Sequence, residues 1–340
     1  MASPEGGEGA YRRLLDGVPA FPGWGPASGP LFSCLRYLRE PVGYPFLAAI
    51  SGDAFRLRVD ELRPHGPTDG EEIARTLGDL GYQVRLFLPG ERDRIAVAIA
   101  ETITAGVPAV AWSPSAEAGH WFAVVAGCDP GVNQVCLRTV DDDSETYQTE
   151  PIDRVAVARE SGEPALYILG AKVSEPPLRE LAWSALGHAV RLGREQAETS
   201  AEKRLFVGFG VRGYEAWANS LEQKSAGDRS HLVSADTVHA VRMHLAVAVD
   251  MKRQAELFLR SLATDADGEV GRRLDNAAEL YHEVWDLLAG FHPLCASFRR
   301  CRAALADEDR TEEMIHALRR VAFLENLAVD AIEKAIHARR

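Results

Sequence analysis

The chain has 340 residues, 46% of them hydrophobic and 26% charged, with a formal charge of −12. That composition is typical of a globular protein long enough for two domains, and its acidic balance argues against a nucleic-acid backbone as the main partner. No apolar run approaches the roughly 18 residues a membrane span needs, and the five cysteines form no CxxC pair, against a zinc or redox site.

The chain opens on Met1-Ala2-Ser3-Pro4-Glu5-Gly6-Gly7-Glu8, acidic, glycine-rich and without the apolar core of a signal peptide. Residues 1–14 read as a disordered tail. A sparse, odd set of cysteines in such a chain suggests a reducing cytoplasm.

Gly29-Pro30-Leu31-Phe32-Ser33-Cys34-Leu35 follows, a turn leading into a helix. The spacing predicts Cys34 in the first turn, Ser33 as a cap, and Leu31, Leu35 and Leu38 facing a core. A thiol there meets the positive end of the helix dipole, which lowers its pKa and favours the thiolate. The competing reading makes Cys34 a small buried hydrophobe.

Residues 44–50 suggest a short helix, 54–59 a strand, 71–80 a helix stopped by Gly81, and 84–88 a strand. An amphipathic helix is expected over 92–104 and a buried strand over 107–112. Three more strands follow at 121–126, 134–140 and 165–169. The first two form a hairpin across Cys128-Asp129-Pro130-Gly131-Val132-Asn133. Helices followed by a mostly antiparallel sheet make an α+β domain over residues 15–173. Ser174-Glu175-Pro176-Pro177 is the linker. Beyond it strand signals almost vanish: 178–194, 214–224, 235–262, 270–288 and 311–340 carry helical periodicity, a bundle domain over 178–340 with about five helices.

Gly119-His120-Trp121 places a histidine at the mouth of a buried strand, the partner a cysteine nucleophile needs. If the hairpin turns at 129–132, Ala126 faces Val135 and His120 faces Asp141, a carboxylate that would fix the imidazole tautomer. A slip of a residue or two brings in Asp142 or Asp143 instead. The plain alternative makes 141–143 a solvated acidic turn. The order cysteine, histidine, acid is the one papain-type sites use.

The Cys34 helix, the segment Pro41-Val42-Gly43-Tyr44 leading to Ile50-Ser51-Gly52-Asp53-Ala54-Phe55-Arg56-Leu57, and Gly119-His120-Trp121 resemble the bacterial papain-fold group related to the C39 peptidases. More narrowly, they are similar to the N-terminal domain of the butirosin biosynthesis protein H family, over roughly residues 15–172. Gly213-Tyr214-Glu215-Ala216-Trp217-Ala218 resembles the helical domain that follows in many members. The resemblance implies a papain-like fold, with Cys34 as nucleophile, His120 as base and Asp141 (or Asp142) as orienter. The butirosin protein moves an acyl group from a carrier protein to an aminoglycoside amine. Where papain-type sites carry an upstream glutamine as oxyanion donor, this chain has Ser28, and Ser33 stands where the butirosin group has histidine before the cysteine. Ser28, Ser33 and the Cys34 backbone N–H are therefore the expected oxyanion donors.

The expectation is acyl transfer or amide-bond chemistry through a Cys34 thioester, in bacterial secondary metabolism, on a small-molecule or peptide substrate with an acyl carrier protein as partner. No cofactor, metal, nucleic acid or membrane is called for, and self-association would use the helical domain. A catalytically silent papain-like scaffold binding a peptide or carrier protein is the reading from another class. A cysteine peptidase or amidase differs only in passing the acyl group to water.

Gly208-Phe209-Gly210-Val211-Arg212-Gly213 fits GxGxxG, but helices follow it where a dinucleotide site needs a second parallel strand. It reads as a loop entering the Tyr214 helix. His239 and His244 stand five apart, off a common helical face, with no HExxH frame. Arg299, Arg300 and Arg302 read as a solvated face that could also meet an acidic carrier protein.

Overall fold

The helix that carries Cys34, α1 (Ser28–Tyr37), starts at Ser28, so that Gly29 and Pro30 lie in its first turn, where a missing N–H costs nothing. The computed structural model describes residues 13–60, 70–115, 119–129, 131–140, 147–155, 164–194, 199–200, 205–227 and 229–339. Around α1 come β1 (Arg13–Leu14), α2 (Tyr44–Ser51), β2 (Arg58–Asp60), α3 (Gly70–Asp79), β3 (Tyr82–Phe87), α4 (Arg92–Thr104), β4 (Ala109–Ser115) and β5 (Gly119–Asp129). There follow β6 (Gln134–Arg138), β7 (Gln148–Pro151), α5 (Ile152–Val155) and β8 (Leu166–Lys172). The last elements are α6 (Leu178–Arg194), β9 (Thr199–Ser200), β10 (Leu205–Phe209), α7 (Gly210–Ala226), α8 (Ala235–Thr264), α9 (Gly268–Cys295), α10 (Phe298–Ala306) and α11 (Glu308–Arg339). Among the described residues no helix is long and apolar enough to cross a membrane.

The chain divides into two units, and the break at Glu175/Pro176 falls in the expected linker. The division is not a simple cut, however. Gly23–Ser28 and Gly43–Thr68 belong with the C-terminal helices, not with the remainder of 15–173. The cause is α2, whose Tyr44, Leu47, Ala48, Ala49 and Ile50 are all buried. A helix apolar on so many sides needs partners around it, and α2 finds them in α6 and α8.

The first unit is built on a seven-stranded antiparallel sheet in the order β3-β8-β4-β5-β6-β7, with β1 added beside β5. Its α+β character is as expected from the sequence. Arg13 and Leu14, expected in a disordered tail, instead pair with Cys128 and Gly127; residues 1–12 lie outside the described residues. The β4–β5 ladder stops at Ala109↔Val125, which leaves the rest of β5 open to β1. Gly127 permits the approach, because a Cβ there would lie 2.7 Å from the Arg13 carbonyl oxygen. Buried Arg138 holds the segment that follows: its Nε donates to Val18 O at 3.2 Å and its guanidinium covers the Tyr147 ring at 4.0 Å.

In the second unit, helices α7 to α11 bury a core that includes Tyr214, Trp217, Leu245, Val284, Leu318 and Val321. Two features depart from the expected all-helical bundle. Strands β9 and β10 pair there with β2 as a three-stranded antiparallel sheet, and α10 is an additional short helix. The strand expected over 54–59 shrinks to 58–60, since Phe55 packs edge-on against Tyr281 and Phe258, at 5.8 and 6.2 Å. Gly210 of the GxGxxG stretch opens α7 at φ +54°, and a Cβ on it would meet Leu192 O at 2.4 Å. Close packing on the end of α6 accounts for that glycine without a nucleotide. Deep in this core Lys252 Nζ donates to Glu325 Oε1 at 2.7 Å and to Ala54 O at 3.2 Å, with Tyr281 OH donating to the same carboxylate at 3.4 Å.

Candidate functional site around Cys34

Because α1 starts at Ser28, Cys34 is its seventh residue rather than a first-turn residue. Only the first four N–H groups of a helix lack intrahelical acceptors, and the dipole acts within the first turn. The Cys34 N–H is therefore not a free oxyanion donor, and the thiol gains little from the helix end. Cys34 is completely buried, and burial pushes its thiol well above the ordinary value. This reverses the lowered pKa expected from the sequence.

The start of α1 is taken by an acid. Asp53 Oδ2 accepts from Ala27 N at 3.0 Å, from Ser28 N at 2.7 Å and from Ser28 Oγ at 2.7 Å. A carboxylate satisfies several first-turn donors at once and complements the dipole. The Ser28 hydroxyl, expected as an oxyanion donor, is thus committed to Asp53. Ser33 does not cap the helix either: it is buried inside it and donates through Oγ to Ala20 O at 3.3 Å.

His120 lies in β5, its backbone paired with Pro114 of β4. Cys34 and His120 belong to the same unit. Asp141 and Asp142 fall outside the described residues. The hairpin that was to bring an acid to His120 has a different register from the expected one. Val135 faces Cys128, not Ala126, because β5 runs on to Asp129, which pairs with Gln134. Asp129 also ties the turn, accepting from Gly131 N at 3.1 Å through Oδ1, and Asn133 takes the left-handed φ of 55°. An irregularity between Val125 and Gly127 then shifts the ladder, and its last described pair is Val124↔Arg138.

Sequence reasoning overlooked a second acid. Asp250 of α8 accepts from Trp24 N at 2.6 Å and Tyr44 OH at 2.9 Å through Oδ2, and from Gln254 Nε2 at 2.9 Å through Oδ1. Gly25 N donates in turn to Tyr44 OH at 3.0 Å. Burial raises the Asp250 pKa, against the hydrogen bonds that lower it. The available signal was an acid set among Val247, Val249 and Met251 in an otherwise apolar stretch. Among the described residues no group of three or more His, Cys, Asp or Glu is placed to hold a metal. Comparison with protein-family models finds no match, and comparison with curated proteins finds none either.

Proposed function

We propose that the first unit is a papain-like domain serving as a catalytically silent scaffold for a peptide or carrier protein. The observation that carries this reading is Cys34, fully buried and held protonated by that burial. A thiol nucleophile works as thiolate and must meet its substrate. The commitment of Ser28 to Asp53 agrees with a structural role for the start of α1. A peptide partner is supported by β3, an end strand of the sheet path with Leu86 exposed. End strands offer unpaired backbone groups to an extended segment.

The second reading is a cysteine enzyme, transferring an acyl group or cleaving or forming an amide through a Cys34 thioester. The presence of Cys34 and His120 in one unit, in papain-type chain order, favours it. It requires the surroundings of α1 to open and an acid, Asp141 or Asp142, to orient His120. An acyl thioester of N-acetylcysteamine, offered to the native protein and followed by intact mass, separates the two. The expected result is no acyl adduct on Cys34. An adduct that disappears in both Cys34→Ala and His120→Ala overturns the scaffold reading.

A further inference from the structure

Two exposed apolar side chains of the second unit open onto the same cavity. Leu178 of α6 and Leu257 of α8 are 43% and 37% exposed, and both line a hollow of about 610 Å³. Its walls come from the start of α2, the first turns of α6 and the last turns of α8, with Phe46, Trp183 and Phe258 as the large apolar groups. Every lining residue belongs to the second unit. Phe46 meets Phe258 edge-on at 6.3 Å, which fixes both rings. Apolar, aromatic-lined cavities of roughly 300–1,000 Å³ with a few polar groups are the usual form of a small-ligand site.

The polar side chains of the lining are Arg179, Ser261 and Asp265. Arg179 and Asp265 carry opposite charges, yet neither side chain enters an ion pair or hydrogen bond among the described residues. Arg179 stands in the first turn of α6, and Asp265 is the C-cap of α8. The helix dipoles add to this separation, since a first turn favours an anion and a last turn a cation. A further positive charge reinforces the α6 side, where Arg339 Cζ lies 4.3 Å from the centre of the Trp183 ring. Glu180 follows Arg179 in the sequence but does not line the cavity.

We infer that this cavity binds a small apolar zwitterion, a free amino acid or a short peptide with free ends, through Arg179 and Asp265. The ligand's carboxylate pairs with Arg179, whose planar fork matches it. Its ammonium group pairs with Asp265, and its apolar side chains lie against Phe46, Trp183 and Phe258. A purely apolar ligand would use neither charge, and a simple fatty-acid anion would set no cation against Asp265. Both charged residues are exposed, so each ion pair alone is weak. Selectivity comes from matching both ends and the apolar body together. This site is separate from Cys34 and from β3, and does not depend on a role for either.

Isothermal titration calorimetry on the native full-length protein tests the inference with L-leucine, with trileucine, and with each of them N-acetylated or C-amidated. Saturable binding of an uncapped ligand is expected. Binding of leucine alone assigns a free amino acid, and binding of trileucine alone assigns a peptide. Either cap should weaken binding about tenfold, as should Arg179→Ala or Asp265→Asn with the uncapped ligand. The variants must also match the ends. Arg179→Ala should no longer distinguish the amide from the acid, and Asp265→Asn should no longer distinguish the acetylated form from the free amine. Circular dichroism checks that both variants fold, as expected for exposed positions. No saturable binding of any probe at millimolar concentration overturns the inference. So do capped ligands that bind as tightly as free ones, or variants that leave the affinity unchanged.

Discussion

His244 should make the second unit acid-sensitive in a window that can be worked out in advance. It is buried in α8, its ring edge-on to Trp217 at 5.5 Å, and its Nε2 has no hydrogen-bond partner among the described residues. Burial disfavours the charged ring and lowers its pKa from 6.5 to about 4. Above pH 6.5 the imidazole is neutral folded and unfolded, and contributes no pH dependence. As pH falls below that value the unfolded chain takes up a proton that the folded one refuses, so stability drops until the folded ring titrates near pH 4. At about 1.4 kcal/mol per pH unit, the loss over that window reaches about 3 kcal/mol. Urea unfolding followed by circular dichroism between neutral pH and pH 4.5 would measure it, comparing the wild type with His244→Phe. The variant lacks the titrating group and keeps an aromatic ring for Trp217, so the two stability curves should diverge as pH falls. Parallel curves would refute the reasoning.

Two further substitutions probe the same unit. Lys252→Met strands the Glu325 carboxylate in the core beside Tyr281, and loss of one partner of a buried ion pair costs about 3–5 kcal/mol. Adding Glu325→Leu should recover most of it in thermal unfolding; a silent single variant would show that the pair contributes nothing. Gly210→Ala combines a left-handed φ with a contact at 2.4 Å to the Leu192 carbonyl oxygen. It should cost more than about 1 kcal/mol, and an unchanged melting temperature would contradict the packing account of the GxGxxG stretch.

The sequence by itself determined the elements whose signal is local. The helices at 92–104 and 178–194 and the strands around Val110, Val124 and Ile168 follow from periodicity and from the glycines and prolines between them, and the structure has them there. The antiparallel sheet was legible for the same reason, since consecutive strands joined by short turns pair with each other. What depends on distant segments was not legible. The true start of α1 is set by Asp53, a residue 25 positions from Ser28, and that shift moves Cys34 out of the first turn and into the core. The hairpin register depends on where Asp129 leaves the ladder, and in a strand a one-residue difference turns every side chain to the other face. The grouping of residues 43–68 with the C-terminal helices and the Asp250 cluster arise only when α8 meets its neighbours. Spacing along a chain records periodicity; the burial that decides the state of a thiol, an imidazole or a carboxylate comes from tertiary packing.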